Sequence, residues 1–82
     1  MEVYQLQKHL LSFEYDRDGE KLEIHANEKG LRFLKEQIEI LLEHKQELHL
    51  MTPSWGGEEL TEEQQGKDNM LIHHVKIFHW GD

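Results

Sequence analysis

Apolar and polar residues alternate from Leu10 to Tyr15, with Leu11, Phe13 and Tyr15 on one side of an extended chain and Leu10, Ser12 and Glu14 on the other. That is the pattern of a half-buried strand. The segment Asp16, Arg17, Asp18, Gly19 supplies turn chemistry, because Asp side chains bond nearby amides and Gly tolerates positive φ. Beyond it Leu22, Ile24 and Ala26 alternate with Lys21, Glu23 and His25, which predicts a second strand and a hairpin. From Glu28 the period lengthens. Leu31, Leu34, Ile38, Leu41 and Leu42 recur at three- and four-residue steps, the stripe of an amphipathic helix. Asn27 is placed to cap it. Glu28 suits the positive end of the helix dipole, and His44 and Lys45 suit the negative end. Glu28 and Arg32 form an i,i+4 pair worth a few tenths of a kcal/mol. Gly30 weakens the first turn slightly.

Alternation returns at Leu48, His49, Leu50 and Met51, until Pro53 ends ladder bonding. Residues 52–69 then form a long loop holding Pro53, Gly56, Gly57 and Gly66 and the acids Glu58, Glu59, Glu62 and Glu63. A loop this long in a small domain is usually functional or disordered. Within it, Thr61-x-x-Gln64 could cap one helical turn. The final segment, Met70 to Trp80, reads as one long strand. Leu71, His73, Val75, Ile77 and His79 occupy one face and Ile72, His74, Lys76, Phe78 and Trp80 the other.

The order ββαββ predicts a single α+β domain over residues 1–82: a small, mainly antiparallel four-stranded sheet with one amphipathic helix packed on one face. If Leu22, Ile24, Leu48, Leu50, Leu71, Val75 and Ile77 point toward the helix, then His25, His49, His74, Lys76, Phe78 and Trp80 line the uncovered side.

Composition sharpens this picture. Eighty-two residues allow one core and marginal stability. No cysteine is present, which removes disulfides, thiolate metal sites and thiol nucleophiles and favours a cytoplasmic setting. No apolar run approaches a membrane span, and Met1 to Lys8 lack the order of a signal peptide. The net charge of −8 repels phosphate backbones and anionic lipid, so neither nucleic acid nor membrane is an expected ligand. It favours basic protein partners, or serves solubility alone.

Seven histidines invite a metal reading, and His25, His49 and His74 would converge if they shared one sheet face. Their spacing matches no ligand signature, and no metal or cofactor is expected. A small ligand- or metal-binding regulatory domain using this histidine-rich face is the alternative function. Ser12 and Ser54, the only serines, lie in no nucleophile elbow, and Gly56-Gly57 is followed by acids rather than a phosphate-binding Lys and Ser or Thr. No catalytic constellation emerges. In Pro53-Ser54-Trp55-Gly56-Gly57-Glu58-Glu59-Leu60, Trp55 either plugs the core beneath the loop or anchors a partner, with the acids as a polar rim. Lys76, Phe78 and Trp80 offer a second surface.

Three stretches resemble one family: Glu23-Ile24-His25-Ala26-Asn27 with Gly30-Leu31; His49-Leu50 through Thr52-Pro53-Ser54-Trp55-Gly56-Gly57-x-Glu59-Leu60; and Leu71-Ile72-x-His74-Val75-Lys76-Ile77. Together they are similar to the immunity proteins of bacterial polymorphic toxin systems grouped as immunity protein 32. Trp-Gly-Gly-x-Glu-Leu is the most specific piece. The resemblance implies a small non-catalytic α+β protein that binds and neutralises a cognate toxin domain, and it supplies no catalytic residues. A basic nuclease toxin would suit the charge. The partner-binding candidates are Trp55, Gly56, Gly57, Glu58, Glu59, His25, His49, His74 and Trp80.

Overall fold

A computed structural model describes residues 8–44 and 47–81; Lys45, expected at the helix end, lies outside them, as do Met1 to Gln7. The order of elements is β1 (Leu11–Asp16), β2 (Lys21–Ala26), α1 (Glu28–His44), β3 (Glu47–Met51), β4 (Met70–Ile72) and β5 (His74–Phe78), with a short 3-10 turn at Pro53–Trp55. The domain is α+β with one helix and antiparallel strands. The described residues form five strands rather than four, in two sheets ordered β2-β1-β4 and β3-β5.

The split occurs at His73. The expected single carboxy-terminal strand bends there, so β4 pairs with β1 and β5 pairs with β3. Thr52 fixes the corner: its N–H donates to the His73 carbonyl at 3.0 Å, and its hydroxyl meets His73 Nδ1 at 2.7 Å. One residue spent in the bend shifts the alternation. Ile72, opposite Phe13, joins the core with Val75 and Ile77. Leu71, opposite Glu14, falls on the other face, contrary to the sequence expectation.

Leu11, Phe13, Leu50 and Leu60 form the buried cluster, with Ala26, Phe33, Leu34, Leu48, Ile72, Val75 and Ile77 packed against it. Burying a Leu or Phe side chain contributes about 1.5–3 kcal/mol, so these few residues dominate the stability.

Asn27 ties β1, β2 and α1 together. Its Oδ1 accepts the Gly30 N–H at 2.9 Å, which is the helix cap, and the Leu10 N–H at 3.1 Å. Its own N–H donates to the Leu10 carbonyl at 3.2 Å. Gly30 is required rather than merely tolerated, because a Cβ there would overlap the Leu10 carbonyl. This close approach sets the rotation of the helix. Gly30 and Leu41 are buried and Leu34 packs on the core. Leu31, Ile38 and Leu42, displaced around the axis by roughly 100° per residue, remain exposed. The predicted stripe is therefore only half used. The Glu28–Arg32 pair forms, at 2.8 Å.

In the hairpin, Asp16 Oδ1 accepts the Asp18 N–H at 3.1 Å. The left-handed residue is Glu20, with φ 51°, not Gly19.

Candidate functional site

Residues 52–69 are anchored at both ends and at the middle. The Pro53–Trp55 turn carries bonds from the Trp55 and Gly57 N–H groups to the Thr52 carbonyl, each 2.9 Å. Gly56 follows at φ 89°, a left-handed conformation that disfavours any side chain. A Cβ on Gly57 would lie 2.5 Å from the Met51 carbonyl. Glu59 turns back, its Oε1 accepting the Met51 N–H at 3.0 Å, and Leu60, 1% exposed, enters the core. Thr61 then pairs with the edge of β1: its N–H donates to the Leu11 carbonyl at 2.8 Å and its hydroxyl oxygen accepts the Leu11 N–H at 3.1 Å. No helical turn forms at Thr61–Gln64, because Thr61 is committed to this strand-like pairing.

The Trp-Gly-Gly-x-Glu-Leu piece is thus mostly a loop lock. Leu60, not Trp55, plugs the core. Trp55 is 58% exposed and lies over the His73 bend, its ring nearly parallel to the His73 imidazole at 6.3 Å and 5.9 Å from that of His74. Neighbouring histidines both reach one Trp because the bend abolishes strand alternation.

On the β3–β5 sheet, Leu48, Leu50, Val75 and Ile77 face inward, and Glu47, His49, Met51, His74, Lys76 and Phe78 face outward. His49 Nδ1 and His74 Nε2 are 3.0 Å apart. His49 Nε2 lies 3.5 Å from Glu47, whose carboxylate is 3.6 Å from Lys76 Nζ. Lys76 Nζ sits 5.2 Å from the centre of the Phe78 ring, and Phe78 stacks on Trp80 at 6.2 Å. An unbroken chain of side-chain contacts therefore runs from Trp55 to Trp80. Phe78 and Trp80 are 51% and 84% exposed. Glu58 is exposed and Glu59 half-buried.

His25 does not join His49 and His74. It lies on the outer face of the other sheet, where its Nε2 contacts Glu23 at 2.8 Å. Beside it Glu14 is fully buried. The Glu14 carboxylate accepts bonds from Ser12 Oγ (2.7 Å), the Gln65 and Gly66 N–H groups (2.8 Å each) and Asn69 Nδ2 (2.9 Å). Burial opposes its ionisation, but these donors, led by the Gln65 N–H, outweigh that and hold its pKa at about 2. Nothing in the sequence distinguished Glu14 from a solvated strand residue; its place beside Ser12 on the polar face was the only hint. Glu14, Glu23 and His25 each offer a ligand atom within 4.8 Å of the others. The four donors already on Glu14, and Asn69 bridging to Glu23 at 3.1 Å, identify the cluster as the clasp that holds residues 65–69 against β1. The His49–His74 pair by itself brings two nitrogens together.

These observations define a small α+β protein whose exposed chemistry is an aromatic and imidazole sheet face beside an acidic loop. A sequence model of immunity protein 32 matches residues 21–76, and the chain belongs to that family. No curated protein and no solved structure matches it. Among the described residues no helix is long and apolar enough to cross a membrane.

Proposed function

We propose that this chain is a non-catalytic, cytoplasmic immunity protein of a polymorphic toxin system, which neutralises a cognate toxin domain by direct protein–protein association. Family membership supports a toxin-neutralising role. The observation that carries the choice of surface is the continuous outward run Trp55, His74, His49, Lys76, Phe78, Trp80. Exposed aromatic groups in one patch mark an interaction surface, and Trp is enriched, with Tyr and Arg, among the residues that anchor such interfaces. Glu58 and Glu62 supply an acidic rim near Trp55, suited to a basic toxin such as a nuclease. Gly56, Gly57 and Glu59 serve this surface by shaping the loop that presents Trp55. His25 contributes through the Glu14 clasp and not through contact at this face.

Calorimetric titration with the inactivated carboxy-terminal domain of the polypeptide encoded immediately upstream tests the role. The expected result is one toxin domain bound per chain at roughly nanomolar affinity, weakening as salt rises. Absence of heat with a folded domain would refute the pairing. A salt-independent complex would refute the basic-partner component.

A further inference from the structure

We infer a second interaction surface, independent of the toxin-binding reading: the free edge of β2 pairs with β2 of another copy of this chain. Among the described residues β2 is the outermost strand of its sheet. The Asn27 N–H bonds the Leu10 carbonyl, and alternation of the antiparallel ladder then directs the backbone groups of His25, Glu23 and Lys21 toward β1. The N–H and C=O groups of Leu22, Ile24 and Ala26 point the other way, to the unpaired edge. An exposed strand edge is a template for another strand.

The side chains agree with the backbone. Leu22 and Ile24 lie opposite Tyr15 and Phe13, on the face where the helix packs, yet they are 58% and 49% exposed. The helix flank Leu31, Ile38 and Leu42 is uncovered as well. A twofold axis at Ile24 sets Ile24 opposite its own copy and Leu22 opposite Ala26 of the second copy, doubling this apolar surface on one side. On the other side it sets Glu23 opposite His25 of the second copy, twice, in the closely spaced non-hydrogen-bonded positions. Shifting the axis to Glu23 would place two carboxylates face to face. An axis at Leu22 would set Lys21 opposite Glu23 but leave His25 and Ala26 without strand partners; the Ile24 register avoids facing carboxylates and engages Leu22, Ile24 and Ala26 together. The resulting six-stranded sheet leaves the β3–β5 face of each copy open.

The absence of cysteine makes the register directly testable. Opposed hydrogen-bonded residues have Cα atoms about 5.5 Å apart, within disulfide reach. Ile24→Cys is expected to oxidise readily to a covalent dimer, whereas Leu22→Cys, roughly 13 Å from its counterpart in this register, does not. Light scattering of the unmodified chain is expected to give twice 9.9 kDa, falling to the single-chain mass in Ile24→Lys, with far-UV circular dichroism unchanged. Single-chain mass for the unmodified protein at the highest attainable concentration, or equal cross-linking of the two cysteine variants, would overturn the proposal. So would an Ile24→Lys variant that keeps the mass of the unmodified chain but loses toxin affinity, since β2 would then belong to the toxin interface.

Discussion

The carboxylate of Glu14 and the backbone N–H of Gly66 are 2.8 Å apart although 52 residues separate them. The bond belongs to the set that fastens the end of the long loop to the central strand, and it places a buried negative charge under four donors. Because the folded pKa, about 2, lies below the unfolded value of 4.5, the stabilisation is fully present above pH 4.5. It is lost as pH falls toward 2, and amounts to about 3 kcal/mol. Urea unfolding between pH 7 and pH 2 should show this loss, with a shallower slope for Glu14→Gln. A wild-type profile no steeper than that of the variant would contradict it.

Truncation of Leu60 and of Trp55 should separate stability from binding. Leu60→Ala opens a cavity in the buried cluster and is expected to cost about 2–5 kcal/mol. Trp55→Ala removes an exposed ring, with an expected stability change near 0.5 kcal/mol but a loss of toxin affinity of about 2 kcal/mol or more. Thermal melts and titrations on both variants check the contrast. Equal stability losses would place Trp55 in the core's energetics after all.

Gly30 sets helix propensity against packing. Within a helix Ala is favoured over Gly by up to about 1 kcal/mol, less in the first turn where Gly30 lies, but here its methyl group would overlap the Leu10 carbonyl. Packing wins. Gly30→Ala is expected to destabilise the domain by about 1–3 kcal/mol, and a raised melting temperature would show that helix and strand can separate at little cost.

At Glu20 the balance reverses. A non-glycine residue at φ 51° carries roughly 1–2 kcal/mol of conformational penalty, more than the 0.4–1 kcal/mol of unfolded-chain entropy that glycine adds. Glu20→Gly should therefore stabilise the hairpin by about 0.5–1 kcal/mol, measurable as a higher denaturation midpoint.

Local pattern was sufficient for β1, β2, α1 and β3, because period and turn chemistry lie within a few residues of each element. The Asn27 cap was legible for the same reason. Three things were not. The rotation of α1 depends on contact between Gly30 and Leu10, so Leu31, Ile38 and Leu42 looked as buried as Leu34 and Leu41. The bend at His73 depends on Thr52, 21 residues earlier, and without it Leu71 and Ile72 exchange faces. The division of the histidines follows from that bend: the candidate set His25, His49, His74 assumed one sheet, whereas the chain builds two. Within the loop motif, composition marked Trp55, Gly56 and Gly57 as special. Only the fold separates the residues that lock the loop from the Trp it displays.

The clasp between β1 and the loop also makes the finished fold depend on residues late in the chain. Leu11 waits for Thr61, and Glu14 for Gln65, Gly66 and Asn69, so a nascent chain holding only the hairpin and helix lacks both the loop and β5. Under the proposed role, a prematurely terminated product gives no partial protection. The interval between toxin synthesis and the first complete, folded copy of this chain then sets how long a producing cell is exposed.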